Sequence, residues 1–352
     1  MIEGVEIFKE EHPSLESYWR SIILFGRNVA SYKFAFGKTL FEFIAKDKTV
    51  ITLEELSEPF SRYLCEHLVD AKQTTSQSSK FLDACRSFND GELTKEQLVL
   101  ITSKLGFNYV IDAFHIVNTK NIHINFFKKD YNNQTKRIIL TDEIYKLKDL
   151  IFFRDLNNEI EARWKLVETA WELGISRNLL NVQYNKQDEM LSAFVGNSLK
   201  RKSVTSAKDA LNGYQKGKCF YCFTDITINS NSEMFCDVDH FFPHVLLQAQ
   251  ELQRALPQIN LDGVWNLVLA CPKCNRGTEG KFSHVPATKY LQRIYKRNEF
   301  LISSHHPLRE TLMQQTGDTE INREAFLKKV YFLAINSLIH QWETEQIGEE
   351  IF

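Results

Sequence analysis

The sequence predicts a mostly α-helical chain that carries one small α+β module. Three observations predict it. Apolar residues recur at helical spacing along residues 14–105 and again along 286–345. Two capping boxes, Thr52 with Glu55 and Thr94 with Gln97, mark helix starts. The stretch 219–281 breaks this pattern with two Cys-x-x-Cys pairs separated by a long insert. A chain of 352 residues is long enough for two or three domains, and 43% apolar with 25% charged residues gives a globular core rather than a disordered or fibrous chain.

Taken in order, residues 14–46 read as one long or two abutting helices. Ser14 is the N-cap; Leu15, Trp19, Ile22 and Phe25 or Val29 form the apolar stripe, and Gly26 and Gly37 mark kinks. The helix opened by Thr52 meets Pro59, which lacks an N–H and is expected to interrupt or restart it. The small polar residues 73–79 read as a loop, and the helix opened by Thr94 ends at Gly106. The period then changes: Ile122, Ile124 and Phe126 alternate, Asn132-Asn133 suggests a turn, and 137–140 is apolar again, so a β-hairpin is expected over 121–140. Thr141 caps the next helix. Ile160, Trp164, Val167 and Trp171 make a core-facing stripe closed by Gly174. No phosphate-binding glycine loop, nucleophile elbow or internal repeat occurs in this half.

The polar segment 180–203 carries Gly196 and ends in Lys200, Arg201 and Lys202, so the domain junction is expected there. The reading divides the chain into a helical N-terminal domain (1–198), a small module (199–285) and a helical C-terminal extension (286–352). Ser206 or Thr205 caps a lead-in helix, AKDALNGYQ, that runs into Cys219. Beyond Lys281, helices are expected from the ATKYLQRIYKRNEFL and HPLRETLMQQTG segments, and a last one over about 320–345 buries Phe326, Val330, Leu333, Leu338 and Trp342.

Charge and cysteine usage narrow the class. The acidic N-terminal run lacks the basic flank and apolar core of a signal peptide, and no apolar run is long enough to span a bilayer, so the expected location is the cytosol. Four of the seven cysteines fall in the paired motif, which fits reduced thiols and a metal better than disulfides. A net charge of −2 excludes a uniformly basic nucleic-acid binder. Basic residues nonetheless concentrate on both sides of the module: Lys200 to Lys218 upstream, and Lys273, Arg276, Lys281, Lys289, Arg293, Lys296 and Arg297 downstream against the single acid Glu279. Such flanks are expected to put phosphate-binding charge beside the module.

The module itself carries the chemistry. Cys219, Cys222, Cys271 and Cys274 supply four soft thiolates, the ligand set of a structural Zn²⁺. Asp239 and His240 offer a hard oxygen beside an imidazole, and Asn266 and Asn275 add amide oxygens on either side of the second cysteine pair; hard oxygens suit Mg²⁺ or Mn²⁺. The stretch therefore reads as two metal sites of different character.

At these residues the sequence resembles the HNH, or His-Me finger, endonuclease family: Asp239-His240, Pro243 three residues on, Asn266-Leu267, and Asn275 within CNRG. The resemblance covers residues 207–282 and is closest to the form with a zinc knuckle pinning both ends of the finger, common in restriction-like, phage-defence and intron-encoded nucleases. One departure is Asn275, where the family more often has His, although Asn also occurs there. The resemblance implies a ββα-metal finger that hydrolyses DNA phosphodiester bonds. It makes His240 the general base, Asp239 and Asn275 the ligands of one Mg²⁺ or Mn²⁺, and Asn266 the residue that orients His240 or braces its loop. Arg276, Lys281 and Lys273 become phosphate contacts. It further implies a role in prokaryotic restriction or anti-phage defence, with an N-terminal domain that reads DNA, senses a signal or docks a helicase or ATPase partner. One finger cuts one strand, so a double-strand break needs a homodimer or two nicks. Two other readings stay open: a catalytically silent zinc-stabilised module that binds nucleic acid or assembles with a partner, and an RNA-cleaving nuclease.

Overall fold

The computed structural model describes residues 14–25, 31–71, 73, 79–117, 120–132, 134–150, 153–172, 182–194, 201–303 and 308–350. The chain is mostly helical with small sheets that are antiparallel except for one two-residue parallel pair among the described residues. Its internal contacts separate two units, divided between Gly174 and Ile175. Among the described residues no helix is long and apolar enough to cross a membrane. The readings placed on Gly26, Gly174, Gly196 and Lys200 lie outside the described residues.

The N-terminal unit is built on helices α1 (Leu15–Phe25), α2 (Tyr32–Ala45), α3 (Leu53–Leu68), α4 (Lys80–Asn89), α5 (Lys95–Leu105) and α6 (Val110–Ala113), followed by α7 (Asp142–Lys148) and α8 (Phe153–Glu172). Both capping boxes form: Thr52 accepts from the Glu55 N–H and Thr94 from the Gln97 N–H, and each partner side chain returns a bond to the cap. Pro59 does not break α3, contrary to expectation. Its ring is buried against the core, and Ser57 and Ser61 donate back to Leu53 and Ser57 carbonyls around it. The hairpin forms over a shorter span than the expected 121–140, as β4 (Phe127–Tyr131) with β5 (Lys136–Leu140); Ile122, Ile124 and Phe126, whose alternation suggested its first strand, precede β4, and β1 (Val50–Thr52) pairs on the far edge of β5 to give the order β1–β5–β4. A small ladder, β2 (Ile116–Val117) with β3 (Lys120–Asn121), precedes it. Thr141 precedes α7 but makes no cap bond, because its hydroxyl donates to the Asn125 carbonyl instead.

An aromatic core fills this unit. Phe36 meets Phe60, Phe107, Phe114 and Phe127 edge-on, and Trp19 stacks on Phe41 at 4.6 Å. The predicted stripe on α8 is buried throughout: Ile160, Trp164, Val167 and Trp171. Charged groups inside this unit carry partners. Arg20 reaches both oxygens of Glu159 at 2.8 and 3.0 Å. His67 lies flat on Trp164, 3.6 Å between ring centroids, and binds Glu168 at 2.7 Å.

The second unit contains the cysteine pairs. It opens with an antiparallel sheet of β6 (Val182–Asn185), β7 (Met190–Phe194) and β8 (Arg201–Ser206). This sheet occupies part of the segment expected to be a polar junction, so the contacts place residues 182–194 and 201–206 with the module rather than with the helical domain. The segment is polar because only one face of β6 is covered: Val182 and Tyr184 are buried while Gln183 and Asn185 are partly open. Helix α9 (Ala207–Gln215) is the expected lead-in. Its last residue, Gln215, both donates to the Leu269 carbonyl and accepts from the Leu269 N–H, fastening α9 to the ribbon that follows.

That ribbon is β9 (Asp237–His240) paired antiparallel with β10 (Leu267–Ala270), in the register His240 with Leu267 and Asp237 with Ala270. The short helices α10 (Gln250–Ala255) and α11 (Pro272–Arg276) lie in the connection and after β10. Helices α12 (Thr288–Ser303), α13 (Arg309–Thr316) and α14 (Glu320–Ser337) complete the unit. The last helix is shorter than expected. Trp342 instead lies in β12 (Gln341–Trp342), parallel to β11 (Val285–Pro286), where its indole donates to the Glu279 carbonyl.

Candidate metal and catalytic centre

The two cysteine pairs meet at one end of the β9–β10 ribbon. The first pair sits on a tight turn in which the Phe223 N–H bonds the Cys219 carbonyl and Phe223 takes a left-handed φ of 61°. A non-glycine residue there is strained, and burial of its ring under the Arg293 guanidinium, 4.0 Å from the centroid, offsets the cost. The second pair brackets the start of α11, with Cys271 as N-cap and Pro272 in its first turn. One ligand atom from each of Cys219, Cys222, Cys271 and Cys274 falls within 4.8 Å of the others. The Cys222 and Cys271 sulfurs lie 3.8 Å apart. A tetrahedron with Zn–S bonds of about 2.3 Å has S–S edges of about 3.8 Å, so the cluster fits this ion.

The ribbon sends alternate side chains to opposite faces. Asp237 and Asp239 share the face that carries α11. Asp237 Oδ2 accepts from Asn275 Nδ2 at 3.1 Å and from Arg276 Nε at 2.8 Å. Asp239 is buried: Oδ2 accepts from the Tyr221 hydroxyl at 2.6 Å and Oδ1 from the Lys281 ammonium at 3.0 Å. Burial, and then the Asp239 charge, push the Tyr221 phenol well above its ordinary pKa, so it remains a donor. Asp237 and Asp239 thus share one face of the ribbon, but Asn275 meets Asp237 through its amide N–H, while the two oxygens of Asp239, its expected partner as a metal ligand, are engaged by Tyr221 and Lys281.

Lys281 is corrected from a phosphate contact to an internal cation. It is fully buried and also donates to the His240 and Phe282 carbonyls. Much of the downstream basic cluster is structural in the same way. Arg293 donates to the Phe220 and Tyr221 carbonyls, and Arg297, 1% exposed, donates to those of Val264, Trp265 and Leu267. Helix α12 therefore clamps the knuckle and the ribbon with its arginines. Lys273 and Arg276 on α11, and Lys289 and Lys296 on α12, remain exposed.

On the opposite face, His240 Nε2 lies 3.0 Å from Asp262 Oδ1, and His244 Nε2 lies 2.9 Å from the same oxygen. The imidazoles meet edge-on, 4.3 Å between centroids, and Tyr184 of β6 packs on His240 at 5.6 Å. Burial works against the Asp262 carboxylate, but the His240 hydrogen bond and the nearby imidazoles hold its pKa below the ordinary value. Burial first, and then the His240 charge, hold that of His244 down. The three groups form the second cluster of potential metal ligands among the described residues.

Asn266 joins the two segments around His240. It is fully buried; its Oδ1 accepts from the Phe242 N–H at 2.7 Å, and its Nδ2 donates to the Phe242 and Leu261 carbonyls. It braces the loop after His240 and makes no side-chain bond to His240. Three residues that touch the candidate groups went unread in the sequence: Asp262, Tyr221 and Tyr184. Of these, only Asp262 had a signal, an acidic residue four positions before the motif asparagine.

No family model, no curated protein and no solved structure matches the chain.

Proposed function

We propose that the cysteine-rich module is a zinc-pinned HNH-type finger that hydrolyses DNA phosphodiester bonds in a metal-dependent reaction. The observation that carries this is the register of the ribbon. It sets His240 at the end of β9 opposite Leu267, next to an Asn266 whose amide locks the loop that follows His240. Sequence order, strand pairing and the cysteine cluster at the ribbon's other end support this reading.

In this reading His240 takes a proton from water as the water oxygen attacks phosphorus; the P–O3′ bond breaks, and the leaving oxygen acquires a proton from solvent. A histidine suits the task because a neutral imidazole carries a bare ring nitrogen that can accept the proton. Asp239 and Asn275 would hold the Mg²⁺ or Mn²⁺, which would neutralise charge on the phosphoryl and leaving oxygens. Lys281 positions the Asp239 carboxylate, and Asn266 fixes the backbone that carries His240. Lys273 and Arg276, exposed on α11, offer contacts to DNA phosphates. A place in restriction or anti-phage defence follows by analogy with zinc-pinned HNH proteins that carry an unrelated helical region.

A second reading has one observation in its favour. Asp239 is already satisfied by Tyr221 and Lys281, as it would be in a finger that binds nucleic acid without cutting it. End-labelled DNA and RNA of one sequence, each incubated with Mg²⁺, Mn²⁺ or EDTA, separate the cases. Metal-dependent cutting of DNA is the expected result. Cutting of RNA alone would move the substrate class, and binding without cutting would favour the silent module.

A further inference from the structure

We infer that Asp262 is the positioning residue of this site, a role that rests on the reading of His240 as the base. Through one carboxylate oxygen it fixes the imidazoles of His240 and His244 in the tautomer that carries hydrogen on Nε2. The bare Nδ1 of His240 is then the atom that receives the proton from water.

The inference follows from what each atom can do. An ionised carboxylate oxygen only accepts hydrogen bonds, and a neutral imidazole has one N–H. Asp262 Oδ1 stands 3.0 Å from Nε2 of His240 and 2.9 Å from Nε2 of His244. With both rings neutral, both Nε2 atoms donate to that oxygen and both Nδ1 atoms are left as acceptors. A carboxylate with two lone pairs on one oxygen can receive both bonds.

The carboxylate is mounted on backbone that cannot easily turn. The Asp262 N–H bonds Asn260 Oδ1 at 3.0 Å, and its carbonyl accepts from the Tyr184 N–H at 3.0 Å. On either side, Leu261 is tied to the Asn266 amide and Gly263 bridges Gln183 of β6. A side chain at Gly263 would run into the Trp265 indole at 2.5 Å, so the close approach that aims Asp262 needs glycine there. The sheet formed by β6, β7 and β8 thereby acquires a purpose: its first strand holds Asp262 from behind while Tyr184 covers His240. When His240 becomes cationic, the same carboxylate stabilises the imidazolium, as an acid behind a histidine base does elsewhere.

The test uses the full chain, zinc-loaded and labelled with ¹⁵N-histidine, with His240 and His244 assigned from single His→Gln variants. Imidazole ¹⁵N shifts report the tautomer without requiring cleavage. Wild type is expected to show Nε2–H on both rings. Asp262→Ala is expected to release His240 into a mixture, and Asp262→Asn, which keeps the shape, to lower kcat on supercoiled plasmid by about 10²- to 10⁴-fold with KM unchanged. An Nδ1–H tautomer in wild type, or one fixed on Nε2 in Asp262→Ala, would overturn the inference. So would Mn²⁺ or Co²⁺ shifting both rings in wild type but not in Asp262→Ala, because the three groups would then be ligands of an ion. A correct tautomer in a protein that never cuts would support the positioning and sink the nuclease reading instead.

Discussion

At the scale of single residues, the site depends on polar groups that are buried and satisfied. Asn266 is the clearest: one amide side chain pairs with three backbone groups, and nothing else in the loop replaces it. Asn266→Ala leaves a buried N–H and two carbonyls unpaired, which costs about 1–3 kcal/mol for each group that cannot reach water. Urea unfolding of the zinc-loaded protein should show a loss of several kcal/mol. An unchanged midpoint would mean the loop closes without the brace. Lys281 teaches the same lesson in reverse. Basic charge beside a suspected DNA site reads as a phosphate contact, yet here the ammonium balances Asp239 in the interior.

Among the elements, α3 and α8 of the N-terminal unit are joined by His67, stacked on Trp164 and bonded to Glu161 and Glu168. Burial opposes its charge, but the two glutamates outweigh burial and push its pKa from 6.5 up to about 9. The raised value means the folded state holds the proton more tightly than the unfolded chain. The stabilisation is complete below 6.5 and is lost as pH rises through about 9. Thermal unfolding of wild type and His67→Gln should therefore converge as pH passes through that range, and curves that stay parallel would remove the ion pair from the stability of this unit. The elements also divide by how legibly they were written. Both capping boxes, the hairpin and the α8 stripe follow from local rules, since helix caps and periodicity act within a few residues. The β6–β8 sheet hid because its strands are short and β6 is covered on one face only, so V-Q-Y-N reads as a polar linker. The four cysteines were readable from spacing alone. The pairing of His240 with Asp262 was not, because it joins residues brought together by the loop and the β6 edge, and no spacing rule encodes that.

For the whole molecule, two units with separate connectivity share one chain, and only the second carries the cysteine cluster. The ribbon, the α11 start and the turn at Cys219 meet at those four sulfurs, so a zinc ion bound there would contribute directly to folding of this unit. Chelation should loosen it, with loss of fixed environment around Trp265 and Trp342, while Trp19 and Trp164 in the aromatic core of the other unit keep theirs. A protein with no bound zinc and the same spectrum would refute the cage. The most direct measurement is of cleavage: wild type and His240→Ala with supercoiled plasmid, in Mg²⁺, in Mn²⁺ and in EDTA. Removing His240 also breaks its bond to Asp262, so the variant should unfold slightly earlier, by about 1–2 kcal/mol, and must be shown to be folded at the assay temperature. The expected result is nicked or linear plasmid from wild type with metal, and none from folded His240→Ala or in EDTA. Cleavage by His240→Ala at the wild-type rate would contradict the central claim.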